Sequence, residues 1–231
     1  MNKLFSKIIL ALNVLIIGVI FVLNYFYQSN GFDFTLKCIC SSGFALLGVI
    51  NLIYALITKQ QGKPFYIGMT LGLILAMLGD VLIGYDFIVG DAVFALGHVF
   101  FLIAYCFFQK FALRDFIISA VLFLAALAFL LFCPLLSFEV PVFKIVCIVY
   151  ALIISTMLGK AIGNLTLRKE LCAITLAVGS LLFFFSDLML VFDWFIGLWD
   201  WTNEACMGTY YPALCILACS MYLRASRTKK D

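Results

Sequence analysis

Residues 71–90 read LGLILAMLGDVLIGYDFIVG, and residues 178–197 read VGSLLFFFSDLMLVFDWFIG. Each stretch has the length of a bilayer-spanning helix, ~20 residues. Each holds one aspartate deep inside an apolar run, Asp80 and Asp187. Laid over one another at an offset of 107, the stretches match at Gly72 and Gly179, Asp80 and Asp187, Asp86 and Asp193, and Gly90 and Gly197. The same offset carries Lys37 onto Lys144 and Cys40 onto Cys147 without a gap. Apolar composition inflates leucine matches, but it does not align the only two deep carboxylates with two lysines that are both out of place. The expectation is a tandem duplication within a single membrane domain, 1–231, with four-helix repeats at 1–110 and 111–231. Four spans is an even number, so the copies keep one orientation and pack about a pseudo-twofold axis along the membrane normal. Asp80 and Asp187 would then meet in one central cavity.

The whole chain agrees with a membrane origin for these runs. It has 231 residues, 66% hydrophobic and 12% charged. Soluble domains average ~45–50% apolar and ~25% charged. Soluble enzyme folds, disordered chains and nucleic-acid binders are excluded. An outer-membrane barrel is excluded too, since its strands alternate apolar and polar residues. Eight apolar runs can be read, at 5–27, 34–58, 65–85, 89–109, 115–132, 140–159, 170–192 and 204–223. The fold class is therefore all-α, a multi-pass membrane protein of eight transmembrane helices. The first run follows Lys3 and Lys7 but is too long for a signal peptide, and it reads as a retained anchor helix.

Charge sorts the connections into two sets. Lys3, Lys7, Lys59, Lys63, Lys110, Arg114, Lys160, Arg168, Lys169, Arg224, Arg227, Lys229 and Lys230 fall at one set of helix ends. Asp33, Asp86, Asp91, Glu139, Asp193, Asp200 and Glu204 fall at the other. Positive residues stay on the cytoplasmic side, so both termini are expected there. Only Lys37 and Lys144 break the pattern. The nine cysteines include no C-x-x-C, and they read as small apolar packing residues. The outer segment 192–204, FDWFIGLWDWTNE, carries Trp194, Trp199 and Trp201, which suit a headgroup-level anchor or a lid over a lipid entrance.

Ionisable residues inside a membrane are costly and mark functional sites by default. Gly68, Gly72, Ala76, Asp80 and Gly84 recur every four residues, a small-residue stripe that admits a close neighbour. Asp80 therefore points into the bundle. Two carboxylates on one axis share a proton, so one serves as acid and the other as base. His98, the only histidine, stands on one helical stripe with Asp91 and Tyr105. One histidine argues against a catalytic zinc, which takes three protein ligands. No metal and no cofactor is expected.

These residues resemble the YhhN family of eight-helix membrane proteins, which includes the lysoplasmalogenases. The resemblance runs over nearly the whole chain. It rests on Lys37, Gly79-Asp80, the segment from Phe94 to His98, Tyr150 with Met157, Ser186-Asp187 and Tyr210-Tyr211. The chain departs at Phe101, where the family often has Tyr, and at Leu214, where it often has Gln. The resemblance implies hydrolysis of the vinyl ether of lysoplasmalogens to a fatty aldehyde and a glycerophospho-ethanolamine or -choline. It implies Asp80 and Asp187 as catalytic residues, Lys37 or Lys144 on the phosphate, and His98, Tyr150, Ser186 and Tyr210 around the pocket. The partners are then a lysophospholipid and the bilayer, which is the plasma or inner membrane if the host is bacterial. The alternative is a carrier or binding protein for a lipid or small solute. Carriers usually break helices at mid-membrane. Pro64, Pro134, Pro141 and Pro212 are read as lying near helix ends, which favours a rigid cavity.

Overall fold

A computed structural model describes residues 3–138, 140–197, 199 and 201–227. Expectations for Glu139, Asp200, Lys229 and Lys230 fall outside these residues. Among the described residues the protein is entirely helical. The helices are α1 (Lys3–Ser29), α2 (Phe34–Ile57), α3 (Lys63–Leu82), α4 (Phe87–Phe108), α5 (Leu113–Phe132), α6 (Pro141–Leu167), α7 (Leu171–Phe195) and α8 (Trp201–Arg227). All eight are long and apolar enough to cross a membrane.

Local chemistry sets where several helices begin. Asp33 and Asp86 accept from the backbone N–H of Leu36 (2.9 Å) and Val89 (3.0 Å), which caps α2 and α4. Pro64 and Pro141 stand in the first turns of α3 and α6, where no backbone N–H is needed. Pro212 lies inside α8, contrary to the expectation that all four prolines sit near helix ends. A proline there removes one backbone hydrogen bond. Proline placement therefore gives no ground against a carrier in this helix.

Two further corrections concern charge. The sixth helix runs on to Leu167, so Lys160 is not in a connection. It is fully buried and lies 2.7 Å from Asp115 Oδ2, also fully buried, while donating to the Lys110 carbonyl at 2.8 Å. Asp80 and Asp187 are also not the only deep carboxylates, since Asp91 and Asp115 are both buried.

The helix neighbours repeat in a recognisable way. In the first half α1 packs on α2, α2 on α3, and α3 on α4. In the second half α5 packs on α6, α6 on α7, and α7 on α8. Across the halves, α2 meets α8 as α6 meets α4. A twofold exchange of each helix with the one four later generates this pattern, and we propose the duplication on that ground. The contact of α8 with α1 has no counterpart, while that of α8 with α3 is answered only by side chains of α4 and α7, such as Phe94 with Phe183 and Tyr105 with Ser180. The helices α1 and α5 hold few buried residues, as lipid-facing helices do.

Matched glycines do different work in the two halves. Gly197 has φ +61° and ends α7, its N–H reaching the Phe192 carbonyl at 3.0 Å. Gly90 instead lets α4 approach the end of α3, since a Cβ there would fall 2.5 Å from the Ile83 backbone. The obstacle is main chain and cannot rotate away. Gly90→Ala is expected to cost about 1–3 kcal/mol, read as a lower melting temperature of the purified protein. An unchanged melting temperature would show that the helices separate freely here.

Candidate functional site

The site draws on six helices, α2, α3, α4, α6, α7 and α8. Asp80 lies near the C-terminal end of α3, and Lys37 lies one turn into α2. Lys37 Nζ is 3.2 Å from Asp80 Oδ1. The hydroxyls of Ser41 and Tyr211 donate to Asp80 Oδ2, Tyr211 at 3.4 Å. This carboxylate is buried, accepts from three donors and is balanced by a cation. That arrangement stabilises a charge inside the bundle.

Asp187 is held differently. Tyr150 from α6 donates to its Oδ2 at 2.7 Å. His98 from α4 stands behind, with Nε2 2.7 Å from the Tyr150 oxygen and 3.4 Å from Asp187 Oδ2. A phenol has one proton, and that proton is committed to Asp187, so the Tyr150 oxygen accepts from Nε2–H. The other ring nitrogen, Nδ1, is 3.3 Å from Met157 Sδ. Phe183 packs on the His98 ring at 4.5 Å between centroids. His98 is thus fixed on every side. The Asp187 side chain keeps 13% of its surface exposed, against 3% for Asp80.

That exposure faces two cavities. A polar one of about 150 Å³ is lined by Lys37, Asp80, Ser186, Asp187, Asp193, Asn203 and Tyr210, with Trp194 at its edge. An apolar one of about 400 Å³ lies among α4, α5, α6 and α7, with walls that include Leu122, Ala126, Phe129, Ala151 and Leu188. Asp187 lines both. The helices α5 and α7 pack on α6 but not on each other, leaving a cleft bridged by the Phe129–Phe192 ring contact. A lined cavity with a few convergent polar groups is the form a small-molecule site takes.

Most of the residues expected from sequence converge here. Lys37, Asp80, Ser186, Asp187 and Tyr210 share the polar cavity, and His98 and Tyr150 support Asp187. Asp80 and Asp187 face one cavity without touching. Trp194 packs on Phe87 at 4.7 Å between centroids, while Trp199 and Trp201 stack on each other. Lys144 is the exception. It is half-buried, makes no ion pair among the described residues, and lines neither cavity. It therefore does not stand to Asp187 as its repeat match Lys37 stands to Asp80; Asp187 is supported by a histidine and a tyrosine. The offset that carries Lys37 onto Lys144 carries His98 onto Ala205 and Tyr150 onto Gly43, so the two halves diverge at the partners of their aspartates. No group of three or more His, Cys, Asp or Glu side chains among the described residues is arranged for a metal.

The family model of the YhhN family matches residues 40–221, a span that contains every site residue above except Lys37. The chain belongs to the YhhN family. No curated protein and no solved structure matches it. The YhhN segments that carried the resemblance are those the fold gathers: Phe94 and His98, Tyr150 and Met157, Ser186 and Asp187, and Tyr210 and Tyr211. The sequence left several residues of this region unread as site groups: Ser41, Asp193, Asn203 and Asp91. Of these, Asp91 is the one in the wall of the apolar cavity, beside Tyr150 and Asp187. Its closeness to Asp86 made it look like part of a connection, although its seven-residue spacing from His98 put both on one face of α4.

Proposed function

We propose that the protein is a membrane hydrolase that cleaves the vinyl ether of lysoplasmalogens, giving a fatty aldehyde and a glycerophospho-ethanolamine or -choline. Membership of the YhhN family supports hydrolase chemistry. The observation that carries the substrate class is the double exposure of Asp187, to a polar cavity on one side and an apolar one on the other. A single-chain ether lipid has that same order of parts: polar headgroup, ether oxygen, hydrocarbon chain. With the chain in the apolar cavity and the glycerophospho group in the polar one, the ether falls beside Asp187.

The reaction begins with protonation of the β-carbon, which makes an oxocarbenium ion that water captures. A carboxylate beside that cation stabilises it and takes the proton of the incoming water. Asp187, oriented by Tyr150 and His98, suits this role. Asp80 faces it across the polar cavity as the second carboxylate of the pair, with its charge balanced by Lys37. Lys37 uses one of its three N–H donors on Asp80, and the others serve a phosphate.

The test uses purified protein and three single-chain lipids with one headgroup, carrying an alkenyl ether, a saturated alkyl ether or an acyl ester. Aldehyde is expected from the alkenyl ether, and no cleavage of the other two. Asp80→Asn is expected to lower kcat/KM about 10- to 100-fold, the scale of a lost hydrogen bond to a charged group. The mid-helix Pro212 favours one second reading, a carrier for the same lipids. Movement of intact lipid between leaflets of a proteoliposome, with no aldehyde formed, would establish that reading instead.

A further inference from the structure

One buried carboxyl group of the apolar cavity has no task in this scheme. Asp91 sits in the second turn of α4 with 8% of its surface exposed, and it lines the cavity with Tyr150 and Asp187. The other carboxylates deep in the bundle have donors: the buried Asp80 has Lys37, the buried Asp115 has Lys160, and the half-buried Asp187 has Tyr150. Among the described residues the Asp91 side chain accepts no hydrogen bond and pairs with no cation. Its surroundings include the apolar side chains of Phe87, Cys147 and Leu188. A carboxylate without donors is costly in such a wall, so the group resides there as the neutral acid. An unpaired acid in the membrane is functional by default. The repeat offset matches Asp91 to Leu198, so the sequence supplies this acid in one half only.

Resting on the vinyl ether reading, we propose that Asp91 is the catalytic acid that starts the reaction. In the alkenyl group the β-carbon lies one bond further along the chain than the carbon joined to oxygen. With the ether beside Asp187, the β-carbon falls inside the apolar cavity, on the side that Asp91 lines and Asp80 does not. The Asp91 O–H bond breaks as a C–H bond forms at the β-carbon, using the π electrons of the double bond. Asp91 is left as a carboxylate, and the cation spreads over the α-carbon and the ether oxygen beside Asp187. Water adds to the α-carbon and passes its proton to Asp187, giving a neutral hemiacetal. Asp187 then protonates the glycerol oxygen as the C–O bond breaks. The hemiacetal hydroxyl proton returns to Asp91, and the aldehyde forms. Both carboxyl groups end as they began.

The experiment is Asp91→Asn in the purified protein, assayed on a lysoplasmalogen with kcat, KM and melting temperature measured separately. Asparagine keeps the size and removes the transferable proton. The expected result is a fall in kcat of about 10²- to 10⁴-fold, the usual share of general acid catalysis. KM stays as in the wild type, and the melting temperature is unchanged or raised because no partner is lost. Asp91→Glu recovers part of kcat. Wild-type kcat in Asp91→Asn would overturn this role and leave the hydrolase reading standing. A lowered melting temperature with no recovery in Asp91→Glu would make Asp91 a packing residue and overturn it as well. No aldehyde from the wild type would overturn both.

Discussion

Asp187→Asn is expected to lower kcat for vinyl ether cleavage by about 10²- to 10⁴-fold, with little change in KM or in melting temperature. The reasons are local. Asp187 lies on the wall common to the polar and apolar cavities, and its side chain is the more exposed of the pair. It packs against little that asparagine would not also touch. Asparagine keeps an oxygen for Tyr150 but has no charge to set against an oxocarbenium ion, and it cannot take a proton from water. Tyr150→Phe leaves the carboxylate in place and removes one hydrogen bond at 2.7 Å. Its expected loss is smaller, about 10- to 100-fold, the scale of a hydrogen bond to a charged acceptor. Steady-state aldehyde release from both variants checks the order. A Tyr150→Phe loss as large as that of Asp187→Asn would mean that the phenol itself transfers the proton.

Lys160→Met is expected to destabilise the protein by about 3–5 kcal/mol, the cost of breaking a buried ion pair, since it leaves the buried Asp115 charge with only the partly exposed Arg114 at 3.5 Å. Asp115 and Lys160 join α5 to α6, and both are fully buried. The Asp115 carboxylate also accepts from the Ala112 N–H at the start of α5, so losing its partner unsettles that helix end. The double variant Asp115→Asn with Lys160→Met keeps an acceptor for Ala112 and removes both charges. It is expected to recover most of the loss, because a neutral, well-packed replacement of a buried pair is often as stable as the pair. Thermal or denaturant unfolding in detergent measures both. A double variant as unstable as the single one would show that packing, not charge, is what these side chains supply. The apolar cavity depends on α5 standing in place, so Lys160→Met is also expected to weaken lipid binding.

The eight helices were legible because a spanning segment must be long and apolar whatever its neighbours are. Asp80, Asp187 and Lys37 were legible for a related reason, as charge inside such a run has few uses. What escaped depends on contacts between helices. Lys160 obeys the positive-inside pattern by position, and only the fold reveals that α6 continues through it to meet Asp115. Lys144 fits the repeat by number, yet the second half supports its aspartate with His98 and Tyr150. A duplicated scaffold does not oblige its two copies to keep the same partners. Asp91 stands on the His98 stripe of the run 89–109 but counts by charge among the outer helix ends, because the distance from a helix end to a cavity wall is not written in the order of residues. Pro212 already stands in the middle of the apolar run 204–223, so its place inside α8 is legible in the sequence.

The central claim is that this site protonates a vinyl ether carbon and adds water to the cation that results. The most direct measurement is the mass of the aldehyde formed from a lysoplasmalogen in D2O by the purified wild-type protein, with the product reduced to its alcohol as it forms. One deuterium is expected on the carbon next to the former aldehyde carbon, in a product that Asp187→Asn does not release. Aldehyde without that deuterium, or no aldehyde at all, would contradict the claim.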